Sequence, residues 1–106
     1  MQRFIDHLKC NLENYQIAFR VHATRRMFQR NINDEDVKSV LKKGYVIETY
    51  ADDFPLPSFL INGKSMDGRP VHLVAGVNSH EKIIIIITAY EPDAIKWKED
   101  FSRRSS

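Results

Sequence analysis

The sequence predicts an α+β domain, with helices packed on one face of a mainly antiparallel sheet of four to five strands. Three observations lead there. Up to Lys43 the apolar residues recur mostly at helical spacing, apart from one short early strand. Beyond Gly44 the period drops to two, and β-branched and aromatic residues dominate. Helices and strands are therefore segregated along the chain, which favours helices on one side of a sheet over a doubly wound fold.

Taking the elements in order, Phe4, Ile5, Leu8 and Leu12 predict an amphipathic helix over residues 1–14. Ile17 to Val21 reads as a short strand with Ile17, Phe19 and Val21 on one face. A helix from His22 should end near Asn31, burying Ala23, Met27 and Phe28. The next helix has Asn33 or Asp34 as cap. Glu35 and Asp36 suit its positive end, and Lys42 and Lys43 its negative end. Gly44 is expected to stop it in the left-handed conformation.

Tyr45–Tyr50 then forms a strand. The segment Asp52–Pro57, with two prolines, is irregular. Phe59–Asn62 forms another strand and turns through Gly63–Gly68. Val71–Val77 and Lys82–Tyr90 make a hairpin about residues 78–81. Pro92 ends the last strand, and Asp93 caps a final short helix presenting Ile95, Trp97 or Lys98, and Phe101. Five consecutive isoleucines at 83–87 need both faces of their strand covered. The helices shield one face. The N-terminal helix, a second copy or a partner is expected over the Ile84/Ile86 face.

The 106 residues suffice for a single domain with one modest core. A hydrophobic fraction of 42% and a charged fraction of 28% are those of an ordinary globular chain. Net charge is only +2, so its distribution matters more than its sum. Seven Lys or Arg fall between Arg20 and Lys43 against three acids, which implies one basic surface on a nearly neutral protein. Cys10 is the lone cysteine, which excludes an internal disulfide and fits a reducing compartment. Charges interrupt every apolar run near the start, and the longest run is too short to span a bilayer. A cytoplasmic location without membrane association is expected.

The segment His22-Ala-Thr-Arg-Arg-Met-Phe-Gln-Arg30 carries the most chemistry. On a helix, His22, Arg26 and Arg30 each lie only ~40° beyond the one before. Like charges at this spacing cost ~0.2–0.5 kcal/mol, so the cluster does not serve helix stability. A cationic ridge ending in an imidazole suits an anionic ligand, phosphate above all. Further candidates are Arg69 and His72 in Gly68-Arg-Pro-Val-His72, and Tyr90 with Glu91 at the end of the isoleucine strand. A hairpin turning at 78–81 brings Tyr90 near Pro70, within reach of Arg69 and His72.

The residues His22, Ala23, Arg26, Met27, Arg30 and Ile32 reproduce the pattern His-Ala-x-x-Arg-Met-x-x-Arg-x-Ile. With Gly44, Pro57-Ser58, Gly68-Arg69, His72, Tyr90-Glu91-Pro92 and Trp97, this resembles a family of small bacterial proteins of unknown function. That family is commonly grouped with the RelE/ParE- and BrnT-type toxins, and the resemblance covers roughly residues 17–104. It implies a compact RelE/BrnT-like α+β toxin fold and an endoribonuclease of a toxin–antitoxin system. It also implies RNA, free or on the ribosome, as substrate and a small zinc-finger antitoxin resembling the MqsA type as partner. A homodimer is a further option.

Such toxins work without metal or cofactor. The ribose 2′-OH attacks the neighbouring phosphorus, a base takes its proton, an acid protonates the leaving 5′-oxygen, and arginines neutralise the growing charge. On this resemblance His22 or His72 is the base or acid, with Tyr90 as the alternative acid. Arg26, Arg30 and Arg69 form the phosphate clamp, and Arg25 and Lys43 are outer backbone contacts.

Each residue also has a structural role to weigh against this. His22 can cap its helix. Arg30 can pair with Glu48 or Glu91, His72 can be a half-buried strand residue, and Tyr90 and Trp97 can pack at the sheet edge. Lys42 and Lys43 suit the helix dipole. His7 and Cys10 stand one turn apart but lack companions for a metal site. Two readings remain beside the nuclease: a ParE-like inhibitor that binds a protein target, and a module that dimerises through its sheet.

Overall fold

The computed structural model describes residues 12–92, with residues 97–98 and 103–104. After a 3-10 turn at Leu12–Asn14 come strand β1 (Gln16–Phe19), helix α1 (Val21–Arg30) and helix α2 (Asp34–Lys43). Strands β2 (Tyr45–Tyr50), β3 (Ser58–Lys64), β4 (Pro70–Asn78) and β5 (Ile83–Tyr90) follow. A short antiparallel pair, β6 (Trp97–Lys98) and β7 (Arg103–Arg104), stands apart from the main sheet. The backbone at Trp97–Lys98 is therefore strand, where the sequence implies a helix. Residues 93–96 and most of the expected N-terminal helix lie outside the described residues.

The fold is α+β, as its patterning implies, but the sheet is mixed. Its order is β1-β5-β4-β3-β2, and β1 runs parallel to β5 with Ile17 opposite Ile84. Strands β2 to β5 pair antiparallel in sequence order because short connections join consecutive strands. No tight turn fixes the direction of β1, which reaches β5 from the far end of the chain.

The core lies between the helices and one sheet face. α1 packs over β5, and α2 over β3 and β4. Ala23 and Met27 of α1, and Val37, Val40 and Leu41 of α2, meet Phe59, Ile61, Val71, Leu73, Ile84 and Ile86 there. Ile84 and Ile86 thus lie beneath the helices, and the expectation that their face needs another cover is corrected. Ile83, Ile85 and Ile87 are half-buried. Leu56, from the proline-rich segment, lies over the opposite face beside Gly76, Ile85 and Ile87. A bulge opposite Val74 and Ala75 makes Ile87 the extra residue of β5, so the isoleucine run does not simply alternate.

α1 begins one residue earlier than the sequence implies. Arg20 is its N-cap and makes no side-chain capping bond, so His22 is not the cap. Val21 belongs to the helix and is 69% exposed, rather than completing the strand face. At the other end Asn31 adopts the left-handed conformation (φ 57°), and the Ile32 N–H reaches the Met27 carbonyl at 2.8 Å. That bond closes the helix and buries Ile32.

Asn33 caps α2 reciprocally with Asp36: each backbone N–H donates to the other's side chain at 2.9 Å. The left-handed stop expected at Gly44 is not there. Gly44 is extended (φ −75°, ψ −179°), and the reason for glycine is space. A Cβ would stand 2.5 Å from the Val40 carbonyl oxygen and 2.6 Å from that of Asn62. The helix end and β3 approach too closely for a side chain. No helix among the described residues is long and apolar enough to cross a membrane.

Candidate nucleic-acid interface

α1 divides its surface sharply. Ala23 and Met27 face the core, and the eight other residues of the helix are exposed. Around the exposed arc, at ~100° per residue, Thr24, Phe28 and Val21 form one flank and His22, Arg26 and Arg30 the other, with Arg25 between. Phe28, expected in the core, is 88% exposed. It follows Met27 by ~100° and so has turned off the buried side. On the apolar flank a groove of about 440 Å³ opens between α1 and the edge strand β1.

The arginine flank stands outside the ion pairs formed among the described residues. Ion pairs among the described residues are Lys38–Glu35 and the three made by Arg69. Arg25, Arg26 and Arg30 take part in none of them. The alternative pairing of Arg30 with Glu48 or Glu91 is not formed, and Glu48 instead accepts from the Tyr50 hydroxyl at 3.2 Å.

Arg69 does not join this flank. Its Nη1 donates to Glu91 Oε1 and to the Arg30 carbonyl, both at 2.8 Å, and its Nη2 to the Asn31 carbonyl at 2.7 Å. Its Nε lies 3.0 Å from both carboxylate oxygens of Asp67. Nearby, Asp36 accepts from the Met66 N–H at 2.8 Å and stands 4.0 Å from Arg69. One guanidinium thus ties the end of α1 to the β3–β4 turn and to the residue after β5. Hydrogen bonds from Ser65 and then Arg69 hold the Asp67 carboxyl below its ordinary range, and the same interaction with Asp67 raises Arg69 above its own.

His72 stands on the sheet face away from the helices, fully buried, in register with Asn62 on one side and Tyr90 on the other. Its Nδ1 is 3.4 Å from the Tyr90 hydroxyl, and the rings meet edge to face at 5.5 Å. Tyr45, opposite Asn62, extends the row, and the Asn62 amide donates to its hydroxyl at 3.1 Å. The polar line Tyr45–Asn62–His72–Tyr90 therefore crosses four strands. Sequence reasoning sets Tyr90 near Pro70, with His72 only within reach, whereas the register sets Tyr90 opposite His72. It also misses Tyr45 and Asn62, which only the strand register brings into line.

The structure thus separates the candidates into four groups. His22, Arg25, Arg26 and Arg30 share the exposed surface of α1. His72 and Tyr90 meet across the sheet, and Arg69 is occupied between Asp67 and Glu91. His22 and His72 belong to opposite faces of the sheet and do not border one hollow. Lys43 lines a cleft of about 730 Å³ with Tyr45 and Lys64, on the β2–β3 side, whereas α1 lies over β5. Among the described residues no three His, Cys, Asp or Glu side chains converge as a metal site.

No curated protein and no solved structure matches the chain. One family does, over residues 19–91, a span that takes in α1, α2 and the sheet from β2 to β5. The chain belongs to the family described as Domain of unknown function (DUF4258).

Proposed function

We propose that this chain binds RNA through the arginine face of α1. The carrying observation is that Arg25, Arg26 and Arg30 are exposed on one short helix and enter no ion pair among the described residues. Clustered guanidinium groups repel one another and cost helix stability. A polyanion reverses that cost, because each phosphate bound releases condensed counterions and the planar guanidinium fork donates to phosphate oxygens in pairs. The resemblance of the His22–Ile32 motif to a family grouped with RelE/ParE- and BrnT-type toxins supports RNA as the polyanion.

The test is fluorescence anisotropy with a labelled RNA hairpin carrying a single-stranded tail, titrated at several salt concentrations. Affinity should fall with salt. Arg25→Ala/Arg26→Ala/Arg30→Ala should weaken binding and flatten the slope by about 0.7–0.9 for each phosphate no longer neutralised. Salt-independent binding, or a triple variant that binds like the parent, overturns the reading.

Cleavage is a second, finer reading, favoured by the exposed imidazole of His22 one turn from Arg26. In it His22 exchanges the proton of the 2′-OH or of the leaving oxygen while Arg26 and Arg30 hold the phosphate, and a zinc-finger antitoxin covers this face. Binding ranks above cleavage because His72 and Tyr90, the other proposed proton-transfer groups, lie across the sheet.

A further inference from the structure

The groove beside the arginines has an aromatic wall. Phe28 and Val21, 88% and 69% exposed, rise over Phe19 of β1, with Thr24, Arg25 and Gln29 completing the lining. A single exposed apolar residue is ordinary on any protein. Here two of them meet in a concave site, and Arg25 stands on its rim, between the groove and the cationic flank.

We propose that the groove takes an unpaired base of single-stranded RNA, stacked on the Phe28 ring, while the adjoining phosphates follow Arg25, Arg26 and Arg30. The inference rests on the RNA-binding reading above and narrows its substrate. A duplex keeps its bases stacked on one another and offers the ring no face, whereas an unpaired base exposes one. Aromatic platforms beside a basic track are the physical basis of single-strand recognition, and stacking tolerates any base. Charge favours RNA over a second copy of this chain as occupant: self-association through the groove would bring two Arg25 side chains together.

The experiment compares a labelled oligouridine with an RNA duplex of equal length, using the whole chain and Phe28→Ala. Phe28 stands outside the core, so the variant should keep the parent's melting curve. The expected result is preference for the single strand, an about tenfold drop of that affinity in Phe28→Ala, and unchanged duplex affinity and salt slope. Phe28→Trp should restore single-strand binding. Equal affinity of the parent for both RNAs, or a Phe28→Ala variant that binds the single strand as the parent does, overturns the inference and leaves the arginine reading standing. A parent that binds neither RNA overturns both. A parent that dimerises in size exclusion while Phe28→Ala is monomeric assigns the groove to a second copy and overturns the inference.

Discussion

Arg69 and Glu91 meet through a single 2.8 Å hydrogen bond between Nη1 and Oε1, at the point where β5 ends and β4 begins. The same guanidinium has no part in the arginine face, because the carbonyls of Arg30 and Asn31 and the Asp67 carboxylate take its other donors. Arg69→Ala should therefore lower the melting temperature by several degrees while leaving RNA affinity at the parent's level. Arg69→Lys should not rescue stability, since one ammonium cannot reach acceptors spread around a planar fork. Circular-dichroism melting and the anisotropy titration together check this. Intact stability with abolished RNA affinity would instead place Arg69 in the interface.

The Ser65–Asp67–Arg69 cluster makes stability sensitive to acid. Asp67 has a lowered pKa in the folded chain, so the unfolded state binds its proton more readily. Its contribution is complete above the unfolded value, near 3.8, and is lost as pH falls through the lower folded value. Asp67→Asn removes the ionisation. The stability gap between parent and variant should be constant at neutral pH and narrow only in strong acid, as read by urea unfolding across pH.

Gly44→Ala should destabilise the fold by about 2 kcal/mol through overpacking. The added methyl would press on the Val40 and Asn62 carbonyl oxygens, which belong to a helix end and a strand and cannot yield like a flexible side chain. The backbone angle at Gly44 is open to any residue. A variant as stable as the parent in urea would mean that α2 can shift off β3.

How far the sequence reveals the fold depends on whether local chemistry decides each element. The ends of α2 are local: Asn33, Asp36 and Lys42–Lys43 mark them, and the structure bears them out. The β4–β5 hairpin is legible from its turn, but its register is not: the turn alone places Tyr90 near Pro70, and the bulge in β5 helps bring it opposite His72. Gly44 is right as a helix stop but for a reason held in β3, at Asn62, which no local pattern carries. The parallel pairing of β1 is likewise a property of the assembled sheet.

The arginine face is legible because helical period alone places His22, Arg26 and Arg30 together. Phe28 misleads because its hydrophobicity points inward while its angle from Met27 points outward, and the angle wins. Arg69 misleads because, beside the local Asp67, its partners are Glu91 and the carbonyls at the end of α1, all far from it along the chain.

His22 and His72 should answer to opposite measurements. His72 is fully buried against Tyr90, so His72→Ala leaves a cavity and unsatisfied polar neighbours, and should cost about 2 kcal/mol in urea unfolding. RNA affinity of the folded variant should not change. His22 is exposed on α1, so His22→Ala should leave stability within about 0.5 kcal/mol. If the chain cleaves RNA in the absence of metal, His22→Ala should abolish the product on a gel, whereas folded His72→Ala should retain it. Cleavage that survives His22→Ala and disappears in folded His72→Ala would move the chemistry to the far face of the sheet and detach it from the arginines. With no cleavage by the parent, a His22→Ala variant that binds RNA less well than the parent would identify the imidazole as one more phosphate ligand.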